Sequence, residues 1–282
     1  MDARGREDAA PKPLRSNMNV LLAVLLLVPL PHVPSLPFHP RVLRGEQETP
    51  PDSRPEIAAK IEELASHVKE RGKEDEQAIA TIDALAREFE PSGPKDRTAI
   101  VKALDACFKA NRSKELEPGV PDDRLYYAAA TALARMGPES VKPLSDWLGH
   151  KNFRANLRLQ ARIANSLGNT KDPRAIDPLL ALLANKDKEM QLAGAGALAF
   201  FDGTDLGTRK RLFEAALHVL MDQKARKDAD LNDFEAHDRW NAISGPIVTL
   251  LQRLARRNET DPEAWQRWWN KNKKEDWDAA QE

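Results

Sequence analysis

The side chains best suited to metal binding or acid–base chemistry are six histidines, and none is placed to share a ligand with another. They are His32, His39, His67, His150, His218 and His237. Two histidine ligands on one helical face need an H-x-x-x-H spacing, and no pair in the body of the chain has it. The sequence therefore predicts surface or partly packed histidines and contains no candidate catalytic, cofactor-binding or metal-binding residue.

The chain has one cysteine, Cys107, in the helical-looking stretch Ala99–Ala110. One thiol can form neither an internal disulfide nor a multi-thiolate metal site. A nucleophilic thiol also needs surroundings that lower its pKa, and the flanking sequence suggests none. We predict an unreactive cysteine that is packed or half-buried.

Two short motifs only partly match known binding loops. Asp228–Glu235 resembles a calcium loop, but Asp233 and Arg239 stand where an EF-hand needs glycine and glutamate. We predict an acidic loop that opens the next helix. Gly194-Ala-Gly196 follows no strand, as a phosphate-binding loop would. We predict that its small residues permit close helix–helix approach.

Basic residues cluster at Arg209–Arg211, Lys224–Lys227 and Arg253–Arg257. Solvated helix faces explain such clusters, and a basic groove for an acidic partner or nucleic acid is the alternative. The chain has 43 basic and 44 acidic side chains. This near balance weighs against nucleic-acid binding, because phosphate contacts need a positive face.

The elements that must position these residues are predicted to be helices. Ala, Leu, Lys, Glu and Arg recur, and runs of β-branched and aromatic residues are missing. Apolar residues return every three or four positions, as on one helical face. The first three such stripes are Ile57-Ile61-Leu64-Val68, Ile79-Ile82-Leu85-Phe89 and Ile100-Leu104-Phe108. The Pro- and Gly-containing segment Glu115–Asp123 is predicted to be a loop.

An internal repeat begins after this loop. Three apolar triplets with i, i+4, i+8 spacing are separated by 34 and then 31 residues: Leu125-Ala129-Leu133, Leu159-Ile163-Leu167 and Met190-Gly194-Leu198. In the first two units a second helix follows in matching register, with Val141-Leu144-Leu148 corresponding to Ile176-Leu179-Leu183 and Pro143 to Pro178. Such a period predicts stacked helical hairpins that share one elongated core.

The segment LGNTKDPRAIDPLLALLANKDKEMQLAGAGAL (167–198) resembles the HEAT-like repeat of phycobilin lyases. The resemblance covers about Arg124–Phe201 and implies an all-α solenoid of antiparallel hairpins. The first unit lacks the Asp-Pro. After Phe201 an insertion, DGTDLGTRKR, is predicted to delay the next helix, which carries Leu212, Ala216 and Leu220. A fourth hairpin would use Trp240, Ile243, Ile247, Leu250 and Leu254.

The resemblance does not carry an activity with it, because one fold hosts many functions. Deoxyhypusine hydroxylase, another helical-repeat protein, holds iron through His-Glu pairs, and this sequence contains no His-Glu dipeptide.

The predicted organisation has four parts. Residues 1–54 form a signal- or anchor-like segment with a Pro-rich linker, 55–116 N-terminal helices, 121–258 the repeat array, and 261–282 a Trp-rich capping helix. Trp265, Trp268 and Trp269 share a helical face, which either docks that helix or binds a partner.

The apolar run Val20–Leu30, preceded by basic residues, has the length of a signal-peptide core and is shorter than a membrane span. It predicts export, with an uncleaved membrane anchor or a misassigned, unstructured N-terminus as alternatives; the start residue is Met1 or Met18. The predicted function is a non-enzymatic, exported scaffold that needs no cofactor and binds a protein or peptide. A lyase- or hydroxylase-like enzyme and a nucleic-acid-binding protein are the alternatives.

Overall fold

The computed structural model describes residues 51–110, 112, 115–117 and 120–279, which are mostly helical. The Val20–Leu30 segment lies outside the described residues, as does the choice between Met1 and Met18. Eleven α-helices occur in the described part: α1 Pro55–Lys69, α2 Asp75–Glu88, α3 Pro94–Cys107, α4 Arg124–Leu133, α5 Val141–Trp147, α6 Leu157–Asn169, α7 Ile176–Leu183, α8 Lys188–Leu198, α9 Leu206–Ala229, α10 Phe234–Ala255 and α11 Pro262–Asn272.

The helices alternate between two layers. In the even layer, α2, α4, α6, α8 and α10 each pack against the next. The odd-numbered helices form the second layer, the odd layer. There α3 contacts the 3-10 turn Gly137–Ser140 that leads into α5, and α5 contacts the 3-10 turn Pro173–Ala175 that leads into α7. Because a single hairpin cannot bury its apolar face, each unit is completed by its neighbours. The described part of the chain is a helical solenoid of stacked hairpins, as the repeat predicted.

The repeat residues form the spine of this core. Every member of the three triplets is buried, and Leu159, Ile163 and Leu167 have no exposed surface. In the second helices of these units, Val141, Leu144, Ile176, Leu179 and Leu183 are also buried, while Leu148 is half-buried. The spacing alone predicted that the apolar triplets of successive units face one shared core, and their burial confirms this.

Helix starts in the second half of the chain are fixed by side-chain caps. Asn156, Asp187, Asp205, Asp233 and Asp261 each accept a hydrogen bond from a backbone N–H in the first turn of the following helix. Such caps satisfy donors that have no partner within the helix. The acidic loop therefore opens α10 through Asp233, as predicted.

Two local predictions were wrong. The predicted loop Glu115–Asp123 contains a short antiparallel pair, β1 Glu115–Glu117 and β2 Val120–Pro121. Strands this short leave too little alternation in the sequence to be recognised. The predicted insertion after Phe201 is also shorter than expected, because the Asp205 cap starts α9 at Leu206.

Two glycines allow helices to approach closely. A Cβ atom on Gly194 would lie 2.6 Å from the backbone nitrogen of Leu183, and one on Gly168 would lie 2.5 Å from the carbonyl oxygen of Ala197. Around Gly196 a Cβ would meet nothing within 4 Å. The prediction that small residues permit close packing is thus right for Gly194 and wrong for Gly196.

An aromatic cluster lies at the C-terminal end of the described part of the chain. The ring of Phe213 on α9 lies 5.3 to 5.4 Å, centroid to centroid, from the four tryptophans Trp265, Trp268, Trp269 and Trp277. All except the half-buried Trp268 are buried. The shared tryptophan face therefore docks α11 onto α9. Trp277, beyond the end of α11, was not anticipated as part of this face.

Arg209 beside this cluster corrects the prediction of a solvated basic face. Its side chain is 1% exposed, donates to the Leu254 carbonyl at 3.0 Å and pairs with Asp278. The stretch Arg209–Arg211 looked surface-exposed because the residues that cover Arg209 lie at least 45 positions away in sequence.

Candidate partner-binding surface

An open groove of about 1010 Å³ lies at the edge of the solenoid where α4 and α6 begin. We call it the Tyr127 groove. Its apolar lining includes Ile79, Val120, Tyr127, Phe153 and Leu157. These residues come from α2, from the β1–β2 segment, from α4 and from the approach to α6, so that the groove exists only once neighbouring units have stacked.

Stacked and hydrogen-bonded aromatic rings hold the floor of the groove. Phe108 stacks on Trp147 at 5.3 Å, and Tyr126 meets Phe153 edge-on at 4.8 Å. The Trp147 indole donates to Asp105 at 2.7 Å, and the Tyr126 hydroxyl donates to the Ala110 carbonyl at 2.7 Å. Burial raises the pKa of Tyr126 to about 12. With its polar tips bonded in this way, the floor is fixed before any partner arrives.

The carboxylates around the groove already have partners. Asp122 receives two hydrogen bonds from the Arg124 guanidinium, at 3.0 and 2.9 Å, and this pairing lowers the pKa of Asp122. The Asn156 amide donates to Asp123, and Arg112 pairs with buried Asp75. Asp122 and Asp75 are thus neutralised by arginines, whereas Asp123 keeps its negative charge, because the Asn156 amide is neutral.

Two arginines on the groove side of α6 have no such compensation. The guanidinium groups of Arg158 and Arg162 lie 5.5 and 5.8 Å from the centre of the Tyr127 ring. Neither forms an ion pair with any residue that the structure describes. The Tyr127 hydroxyl is buried and has no hydrogen-bond partner among the described residues. The groove therefore presents an aromatic surface flanked by two available cations.

Neither Cys107 nor any histidine in the described part lines this groove, although His150 contacts the lining residue Phe153, with 6.4 Å between ring centroids. His67 contacts Glu74 through Nδ1 at 2.6 Å, and this hydrogen bond raises the pKa of His67. His150 packs edge-on against Trp147 at 4.6 Å. Cys107 is buried, and burial raises the pKa of its thiol to about 12. Within the described ranges, no three His, Cys, Asp or Glu side chains come together as a metal site.

Sequence reasoning missed the groove, although two signals were present. Tyr126 and Tyr127 are the only tyrosines in the chain, and they are adjacent at the start of a repeat unit. Arg158 and Arg162 stand four residues apart on the exposed side of α6. Neither signal shows by itself that the two pairs meet, because 31 residues separate Tyr127 from Arg158.

The described helices include none that is long and apolar enough to cross a membrane.

Comparison with known proteins agrees with the repeat architecture. Residues 114–199 match the family model described as HEAT repeats, a range that runs from the β1–β2 segment to the end of α8. No curated protein and no solved structure matches the chain. The matched range holds all three apolar triplets, and the flanking helices continue the same two layers. Residues 114–199 therefore form HEAT-like repeats, and the neighbouring helices extend the same architecture.

Proposed function

We propose that this protein is a non-enzymatic scaffold and that the Tyr127 groove binds a protein or peptide partner. The observation that carries the proposal is the open aromatic groove with Arg158 and Arg162 uncompensated beside it. Aromatic residues and arginine are the side chains most enriched where binding energy concentrates. A rigid floor also favours binding, because little side-chain freedom remains to be lost.

The chemistry of the groove favours a segment with an apolar anchor flanked by carboxylates. An apolar side chain of the partner would cover Tyr127, Phe153 and Leu157. Carboxylates beside it would meet Arg158 and Arg162, whose planar guanidinium groups suit bidentate hydrogen bonding. Of the groove's own acids, Asp122 is neutralised by the Arg124 guanidinium and would repel such a segment less than a free carboxylate would.

Site-specific photocrosslinking in the native cell tests this function. A photoreactive benzoylphenylalanine is placed at Ala155, which is exposed in the groove, or at Ala181, which is exposed on α7 in the odd layer. We expect a discrete protein adduct from position 155, none from position 181, and loss of the adduct when Arg158→Glu is added. Equal adducts at both positions, or an adduct that ignores Arg158→Glu, would contradict the proposal.

Export by the N-terminal segment is the second part of this proposal. Its support is the apolar run Val20–Leu30, which follows four basic residues: Arg4, Arg6, Lys12 and Arg15. Export is measured with a reporter enzyme that is fused after Glu282 and is active only outside the cytoplasm. We expect Leu25→Arg with Leu26→Arg to abolish reporter activity and Ser35→Arg with Gln47→Arg to leave it unchanged. Activity that survives the first pair would refute export by this segment.

A further inference from the structure

The turn between the two longest helices exposes two large apolar side chains. Leu231 is 81% exposed and Phe234 is 82% exposed, whereas the next most exposed large apolar residue in the described part, Val120, is 45% exposed. We call Asp230–Glu235 the apolar tip. Isolated exposed leucines are ordinary, but a leucine and a phenylalanine that are both exposed in one turn between helices indicate a contact site.

The tip is ordered by its own hydrogen bonds. The Asp233 side chain accepts from the Ala236 N–H at 2.9 Å and caps α10, and the Asp230 side chain accepts from the Asn232 N–H at 2.8 Å. The Phe234 N–H donates to the Asn232 carbonyl at 3.0 Å. This turn presents Leu231 and Phe234 in one defined arrangement, which limits the entropy lost on docking.

The charge of the tip is complementary to that of the Tyr127 groove. Asp230, Asp233 and Glu235 form no ion pairs with the residues that the structure describes. They flank the two apolar residues in sequence, and Arg226 and Arg239 share the surface beside them. The groove offers the reverse arrangement, an aromatic floor beside Arg158 and Arg162. The tip thus has the apolar anchor and flanking carboxylates that the groove chemistry favours.

The tip and the groove lie along the same edge of the solenoid. The starts of α4 and α6 meet through Asn156 and Asp123, and the starts of α8 and α10 meet through Lys188 and Asp238. The ends of α6 and α8 meet at Gly168 and Ala197, so that α4, α6, α8 and α10 run in one direction and begin at one edge. Because α8 stands between α6 and α10 in the even layer, the tip of one molecule does not fill its own groove, and Phe234 stays exposed. Two sites on one edge allow two copies related by a two-fold axis to make both contacts at once.

We propose that two copies of this chain associate edge to edge, each placing Leu231 and Phe234 in the Tyr127 groove of the other. The tip carboxylates then lie against Arg158 and Arg162 of the opposite copy. This inference rests on the proposed function, because it treats the groove as a surface that binds an acidic, apolar segment. It names a second copy of the chain as one such partner.

Sedimentation velocity of the purified full chain over a range of concentrations tests the dimer. We expect a reversible shift from one to two chain masses that weakens as salt is added, since the charged contacts are partly exposed. Leu231→Ser with Phe234→Ser should weaken dimerisation at least tenfold. Both residues are exposed, so far-ultraviolet circular dichroism should be unchanged. A wild-type chain that keeps a single mass throughout, or a tip variant that dimerises as well as wild type, overturns the proposal.

Charge reversal identifies the surface that receives the tip. Arg158→Glu should weaken dimerisation at least tenfold, and Arg135→Glu should not. Arg135 is exposed just beyond the C-terminal end of α4, so this control makes the same charge change away from the groove. Adding Glu235→Arg to Arg158→Glu should restore at least part of the loss. Equal effects of the two arginine variants, or no recovery in the double variant, would overturn the pairing of tip with groove.

The two proposals fail separately. If the purified chain is monomeric and position 155 still crosslinks to a different protein, the dimer is refuted and the scaffold function stands. If the chain is monomeric and position 155 gives no adduct, both are refuted. An adduct at position 155 with twice the chain mass supports the dimer.

Discussion

Replacing Gly194 with alanine should weaken the packing between α7 and α8. The added Cβ would lie 2.6 Å from the Leu183 nitrogen and 3.0 Å from both the carbonyl carbon and the Cβ of Leu182. Two of these three neighbours are backbone atoms, which cannot rotate away as the end of a flexible side chain could. The two helices must therefore separate or the backbone must distort. Gly196→Ala on the same helix is the matched control, because its Cβ would meet nothing within 4 Å.

The size of the effect follows from two opposing contributions to the free energy of unfolding. Either substitution removes the flexibility of a helical glycine and gains about 1 kcal/mol. Overpacking at Gly194 costs about 1–3 kcal/mol, because a well-packed interior accommodates an extra methyl group poorly. The helix-propensity gain is common to both variants and cancels in their difference. Gly194→Ala should thus be less stable than Gly196→Ala by about 2 kcal/mol.

Thermal and urea unfolding, followed by circular dichroism at 222 nm, measure this difference. For a domain of this size, about 2 kcal/mol corresponds to a melting temperature lower by about 4–8 °C. Gly196→Ala itself should melt slightly above the wild-type protein. If the two variants melt together, or Gly194→Ala is the more stable, then the close approach of α7 and α8 is not what requires glycine there.

Three further predictions concern single side chains. Because burial raises the pKa of Cys107 to about 12, we expect its thiol to resist iodoacetamide at about pH 8 in the folded protein and to react after unfolding in urea; equal rates would contradict its burial. The hydrogen bond that the protonated His67 ring donates to Glu74 raises the pKa of His67. The stabilising effect of this bond is fully present below the unfolded pKa and is lost as pH rises through the folded pKa. The urea midpoint should therefore drop more on His67→Gln at about pH 5.5 than at about pH 8.5, and a pH-independent difference would refute this. Phe213→Ala removes the ring that four tryptophans contact and should lower the free energy of unfolding by about 3–5 kcal/mol. The tryptophan emission should shift to the red. An unchanged emission spectrum would show that the cluster does not depend on Phe213.

The sequence alone determined the helical class, the hairpin repeat and the inward face of almost every helix. These features follow from apolar periodicity within segments of ten to fifteen residues and from the return of the same pattern in the next unit. Local hydrogen bonding sets a helical period of 3.6 residues, and burial selects the apolar side. The triplets, the tryptophan face and the acidic start of α10 could all be read in this way. The boundaries near Glu115–Asp123 and after Phe201 were less certain, because short strands and a single capping aspartate leave weak patterns.

The tertiary structure decided what each position meets in another unit. It made Gly194 and Gly196 different, although both are glycines in one helix, because only Gly194 faces the backbone of α7. It buried Arg209 under partners at positions 254 and 278, and it brought Tyr127 together with Arg158 and Arg162. It also placed the apolar tip and the groove on one edge. Contacts between residues of different helices depend on how the helices pack, and a pattern that repeats within one helix does not determine them.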